Sequence, residues 1–209
     1  MAAVVYVHGL WMPGDESLVL RSRLAHEFAL ELKAFRYSAV GSSMSQITER
    51  LAEFVKDLAS PEVHFVGHSL GGLVIYRFFE RFPDQPPGRV VFLGAPSVAS
   101  RAAERAARFA PIANLMGQSV AEELLQPRER RWTHPQALGI VAGSQPIGLG
   151  QLLAHFKEDN DGTVAVSETR MPGATDHIVL PVSHLGMLIS SRVAEETGRF
   201  LTQGRFSLR

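Results

Sequence analysis

Apolar residues fall along this chain in two rhythms. Short apolar-rich runs at 2–7, 30–35, 63–66, 89–93, 138–142 and 177–181 alternate with longer stretches in which apolar residues return every three or four positions. The runs predict strands, the valine-rich ones buried on both faces as in a parallel sheet, and the longer stretches predict amphipathic helices. Leu20, Leu24 and Phe28 mark a helix over 15–28. Ile47, Leu51, Phe54, Val55 and Leu58 mark another, with Ser43 and Gln46 spaced as a capping box before it and Pro61 beyond its end. The segment after residue 69 is apolar nearly all round, as expected of a helix packed on a sheet. A closing helix is predicted after residue 184, its stripe being Leu185, Leu188, Ile189, Val193 and Phe200.

Strand and helix alternating in this way is the signature of an α/β fold, here a mainly parallel sheet of about six strands with helices on both faces. Residues 1–209 fit one domain, large enough to bury roughly 70% of the surface of the unfolded chain. The segment 97–135 departs from the alternation. It offers no clear strand, but an Ala/Arg-rich helix and then a stripe of Leu115, Met116, Val120 and Leu124. Because it leaves the C-terminal end of a strand, this helical insertion is expected to lie as a cap or lid over that edge of the sheet.

One junction is denser in chemistry than the rest. The run at 63–66 ends in Gly67-His68-Ser69-Leu70-Gly71-Gly72 and passes straight into the apolar helix. A strand-to-helix turn this short forces its apex into a strained conformation, and the flanking glycines remove the Cβ atoms that would collide there. Ser69 is thereby expected at a helix N-terminus, where unpaired N–H groups favour developing negative charge. A serine hydroxyl becomes a nucleophile only with a histidine to take its proton, a carboxylate to orient that histidine and donors for the oxyanion.

The chain offers each partner after a successive run. His8-Gly9-Leu10-Trp11 follows the first, so the Leu10 N–H, or that of Trp11, is expected as one oxyanion donor and the Leu70 N–H as the other. His8 is expected to hold the loop by hydrogen bonds. Asp161, in Asn160-Asp161-Gly162, is the expected carboxylate, with Asp159 and Asp176 as competitors, and His184 is the expected base. The order Ser69, Asp161, His184 is that of a hydrolase sheet. His64, His134, His155 and His177 are read as surface or packing residues and His68 as part of the turn. Trp11, Met12, Leu70, Leu115, Met116 and Val120 are the expected pocket walls.

Composition narrows the classes. Lys plus Arg and Asp plus Glu both count 21, so nothing steers the chain toward nucleic acid or an anionic membrane. Cysteine is absent, which excludes disulfides and thiolate metal sites. No H-E-x-x-H motif occurs, nor does G-x-G-x-x-G or a lysine-containing phosphate loop, and no cofactor is expected. No stretch approaches the ~20 apolar residues of a membrane span, and the N-terminus lacks a basic segment before its short apolar run, so a cytoplasmic protein is expected.

Together, His8-Gly9-Leu10, the Gly67 to Gly72 turn, Asn160-Asp161-Gly162-x-Val164 and His184-Leu185-Gly186 resemble the α/β-hydrolase superfamily, and within it the small bacterial lipases and esterases. The resemblance spans nearly the whole chain and implies the fold in a minimal form, a Ser69–His184–Asp161 triad, and hydrolysis of carboxylic esters of short to medium acyl chain. Ser97-Val98 after Gly94-Ala95-Pro96 and the lack of a secretion signal depart from the extracellular lipases and count against a triglyceride lipase. Two other readings follow from the same residues. One is a thioesterase, or an esterase on carrier-bound acyl chains, with Arg101, Arg105 and Arg108 as a basic rim; the other is a catalytically silent binding module.

Overall fold

The computed structural model describes residues 2–98, 123, 129–148 and 156–207. The expected insertion at 97–135, including Leu115, Met116 and Val120 and the arginines at 101, 105 and 108, falls mostly outside the described residues. Six strands form one sheet: β1 (Ala3–Val7), β2 (Leu32–Phe35), β3 (Val63–His68), β4 (Arg89–Leu93), β5 (Ala137–Gly143) and β6 (Asp176–Leu180). Their spatial order is β2-β1-β3-β4-β5-β6, and every neighbouring pair is parallel. The described helices are α1 (Leu18–Phe28), α2 (Met44–Asp57), α3 (Leu70–Arg81), the short α4 (Val166–Thr169) and α5 (Ser191–Gln203).

The pleat divides the apolar runs between two cores. Val5, Val7, Phe65, Val90, Phe92, Leu138 and Ile140 face one side, where α2 and α3 supply Ile47, Leu51, Leu73, Val74 and Phe78. Val4, Tyr6, Val66, Val91, Leu93 and Val141 face the other, under α1 and α5 with Leu20, Leu24, Val193 and Phe200. Successive residues of a strand point to opposite faces, so a run apolar throughout is what a sheet covered on both sides requires. At roughly 25 cal/mol per Å² of apolar surface, these two layers are the main stabilising term.

The expected capping box is made in full. Gln46 N–H donates to Ser43 Oγ at 3.3 Å, and Ser43 N–H donates to Gln46 Oε1 at 3.0 Å. The closing helix differs from its expectation. A 3₁₀ turn (Gly186–Leu188) precedes α5, which starts afresh when Ser190 Oγ accepts from Val193 N–H at 3.3 Å. That cap resets the helical phase, so Leu188, Val193 and Phe200 are buried while Leu185 and Ile189 are each 61% exposed and lie off the stripe.

Candidate active site

All six strands run the same way, so the loops after β1, β3, β4, β5 and β6 gather at one edge, where ligands bind in open α/β sheets. Ser69 stands between β3 and α3 with φ 54° and ψ −123°. A non-glycine residue held there costs about 1–3 kcal/mol. Its surroundings hold it in place: Ser69 N–H donates to Leu93 O at 2.9 Å, and Gly72 N–H donates to Ser69 O at 3.0 Å. Gly67 and Gly71, on either side of the apex, are compelled by close approach. A Cβ on Gly71 would come within 2.0 Å of Val7 O, and one on Gly67 within 2.7 Å of the Gly72 backbone.

Asp161 and His184 meet over the end of β4. His184 Nδ1 lies 2.7 Å from Asp161 Oδ2, and His184 N–H donates to Asp161 O at 2.8 Å. The second carboxylate oxygen, Oδ1, accepts from Thr163 N–H at 2.9 Å and Val164 N–H at 2.7 Å. Asn160 Oδ1 accepts from Gly162 N–H at 3.0 Å, so the Asn-Asp-Gly turn itself aims the carboxylate inward. A buried acceptor-only group facing Nδ1 makes that nitrogen the protonated one. Nε2 is then left with a free lone pair, the state a general base requires.

Gly94 joins this pair to the nucleophile's turn. It follows Leu93, the acceptor of the Ser69 N–H, and has φ 57°; a Cβ there would lie 2.9 Å from Asp161 Oδ2 and 3.1 Å from His184 Nδ1. The competing carboxylates are elsewhere. Asp159 is exposed, and Asp176 opens β6 at the opposite end of the sheet, where its Oδ2 accepts from Phe206 N–H at 3.0 Å.

The β1 loop is braced by His8. Its Nδ1–H donates to Gly9 O at 2.8 Å, so Nε2 accepts from Tyr37 N–H at 3.2 Å, while Tyr37 Oη–H donates to His8 O at 2.8 Å. The Tyr37 ring stacks on the imidazole at 4.2 Å. Burial holds His8 below the usual histidine range and hence neutral. Beyond it, Leu10 packs on the core under α2 and α3. Trp11 is 62% exposed in a left-handed conformation. Met12 packs on the core under α1 and α5. The Leu70 N–H belongs to the first turn of α3, where no intrahelical acceptor is available to it.

A cavity of about 370 Å³ lies between α2 and α3, lined by Met44, Ser45, Thr48, Arg77, Glu80, Arg81 and Glu123. Its lining begins at Arg77, two turns along α3 from Ser69, and Arg77 is paired with Glu123 at 2.6 Å and Glu80 at 2.5 Å. This region was not singled out by the sequence pattern, since its lining comes from three separate segments.

The alpha/beta hydrolase family model matches residues 4–195. The chain belongs to this family. Among solved structures similar to this hydrolase is the mature lipase BlEst2 of Bacillus licheniformis, with 19% identity and a TM-score of 0.75 over 98% of this chain and 92% of that one. The RedJ thioesterase from the prodiginine biosynthetic pathway in Streptomyces coelicolor is 14% identical, with a TM-score of 0.60 over 96% of this chain and 83% of that one. The pyrethroid hydrolase PytH is 15% identical, with a TM-score of 0.68 over 98% and 99%. At these identities the likeness is one of fold. A search of curated proteins gives no match. No helix among the described residues of this hydrolase is long and apolar enough to cross a membrane.

Proposed function

We propose that this hydrolase cleaves carboxylic esters of short to medium acyl chain through a Ser69–His184–Asp161 triad. The observation that carries the reading is the 2.7 Å His184–Asp161 bond at the sheet edge where Ser69 stands strained at a helix N-terminus. In the first half-reaction Ser69 Oγ attacks the ester carbonyl carbon while its proton passes to His184 Nε2. The Leu10 and Leu70 N–H groups receive the oxyanion, each worth roughly 3 kcal/mol of barrier. Collapse breaks the bond to the alcohol oxygen, which takes the proton from His184. Water, deprotonated by the same nitrogen, then attacks the acyl-serine carbon and releases the acid, with Ser69 recovering its proton. Asp161 keeps the proton on Nδ1 and stabilises the imidazolium. The substrate is a small acyl ester, and we take the enzyme to work in the cytoplasm.

Thioesters are the second reading, favoured by the fold shared with the Streptomyces thioesterase. The test is a chromogenic ester series from acetyl to palmitoyl beside the matching thioesters. Turnover peaking at short or medium acyl esters is expected. A preference for thioesters of at least about tenfold in kcat/KM would move the assignment to the second reading, and turnover rising through the longest chains would move it to a lipase.

A further inference from the structure

Besides the His8–Tyr37 brace of the β1 loop, the mechanism leaves a further buried histidine at this edge unused. His68, the last residue of β3 and the neighbour of Ser69, has no exposed surface. Its Nε2 lies 3.0 Å from the carbonyl oxygen of His184, an acceptor only, so Nε2 carries the proton and donates. Its ring packs on the His184 ring at 4.7 Å, tilted by 49°. Its other nitrogen, Nδ1, is buried with no hydrogen-bond partner. That nitrogen faces the oxyanion loop, and a Cβ on Gly9 would come within 3.2 Å of it and within 3.1 Å of Ser69 Cβ.

Burying an acceptor without a donor is a cost that leucine or methionine would not incur at the same position. The compensating feature is the bond to His184. We propose that His68 is a positioning residue, whose Nε2–H and ring hold the His184 main chain and imidazole in the orientation needed for proton transfer with Ser69. This inference rests on the reading of His184 as the base. With the His68 bond, His184 is held at three points: its N–H and Nδ1–H on Asp161, and its carbonyl on His68.

The same role requires His68 to stay uncharged, since a cation against the ring would oppose the imidazolium formed on His184. Burial, and then His184 itself, push His68 down to about 3. The titratable groups that face its ring are His184 and Asp161 from the loops after β6 and β5 and His8 from the loop after β1. An unprotonated Nδ1 turned to Gly9 Cα suits a neutral ring, because protonation would place a second buried donor where no acceptor stands.

Two variants separate positioning from packing. His68→Gln keeps an N–H near the Nε2 position, and His68→Met keeps the bulk without the donor. With thermal unfolding followed in parallel, His68→Met is expected to lower kcat about 10- to 100-fold with KM within about twofold, and His68→Gln to remain within about threefold of wild type. ¹H–¹⁵N NMR of the His184 ring gives a readout that needs no substrate. Its Nδ1–H resonance should shift or broaden in His68→Met and stay in place in His68→Gln. An unchanged kcat and resonance in folded His68→Met, or equal losses in both variants, would overturn the proposal. Should the wild type hydrolyse no ester, the resonance alone decides it. If His68→Met does not fold, wild-type ¹⁵N shifts decide instead: a neutral Nε2–H tautomer of His68 from about pH 4 to about pH 9 supports the proposal, and an Nδ1–H tautomer or a cation overturns it.

Discussion

Strand β3 carries a histidine near each end, and the two are used differently. At the N-terminal end His64 Nδ1 accepts from Arg89 N–H at 2.8 Å, and Nε2 faces Glu62 at 3.5 Å. Both ring nitrogens have partners, and the residue ties the start of β4 to β3. At the C-terminal end His68 has one nitrogen on His184 and the other unpartnered. The C-terminal edge of the sheet gathers several such costs: the strained Ser69, the buried Asp161 carboxylate, the left-handed Trp11 and the unpartnered Nδ1 of His68 all lie there. His64 follows the ordinary rule, in which a buried polar group is kept because it is paired.

The comparison can be broken at either end, and the C-terminal end should respond most. Asp161→Asn keeps an oxygen for the Thr163 and Val164 N–H groups but turns a donor toward His184, so the ring must protonate Nε2 and can no longer act as a base. We expect a loss of about 10³- to 10⁴-fold in kcat with little change in unfolding temperature, measured on a chromogenic ester. Gly94→Ala places a methyl group 2.9 Å from Asp161 Oδ2 and 3.1 Å from His184 Nδ1. Displacing the pair by a few tenths of an ångström should lower kcat about 10²-fold or less, checked on the same substrate.

Acid separates the ends less sharply. The folded protein holds His68 at about 3 against 6.5 for a free histidine, and burial lowers His64 in the same direction. Between those values the unfolded chain binds more protons than the folded one, so stability is complete above about pH 6.5 and is lost progressively as pH falls toward about 3. Denaturant midpoints at about pH 7 and about pH 4.5 should show this loss, and His68→Gln should reduce it. A midpoint that rises on acidification would contradict the assignment of a neutral buried ring. The smallest effect is expected at the other end of β3, where His64→Leu leaves the Arg89 N–H without its acceptor. It should cost about 1–3 kcal/mol of stability with kcat unchanged.

The strands and the turn at Ser69 were legible because each is dictated locally. Valine-rich runs have few alternatives to a doubly covered sheet, and Gly67 and Gly71 answer to contacts of 2.0–2.7 Å that no side chain could survive. The capping box at Ser43 and Gln46 was legible for the same reason. Where two distant segments must meet, the sequence was ambiguous. Asp159, Asp161 and Asp176 all precede His184, and only the fold sends Asp176 to the far end of the sheet. The restart of α5 at Ser190 was hidden inside an apolar stripe that reads as continuous through Leu188, Ile189 and Val193. His68 carried no sequence signal of its own, because its bond to His184 crosses 116 positions.

The central claim, that Ser69 is the nucleophile of this family member, is tested most directly by a serine-directed fluorophosphonate on the wild type and on Ser69→Ala. Intact-mass and peptide measurement should find one phosphonyl group on Ser69 of the wild type and ester turnover falling in step with labelling. Folded Ser69→Ala should take up none and lose at least about 10⁴-fold in kcat. Folded Ser69→Ala that keeps the full rate of ester turnover, or a label that settles on another residue while inhibiting the enzyme, would contradict the account.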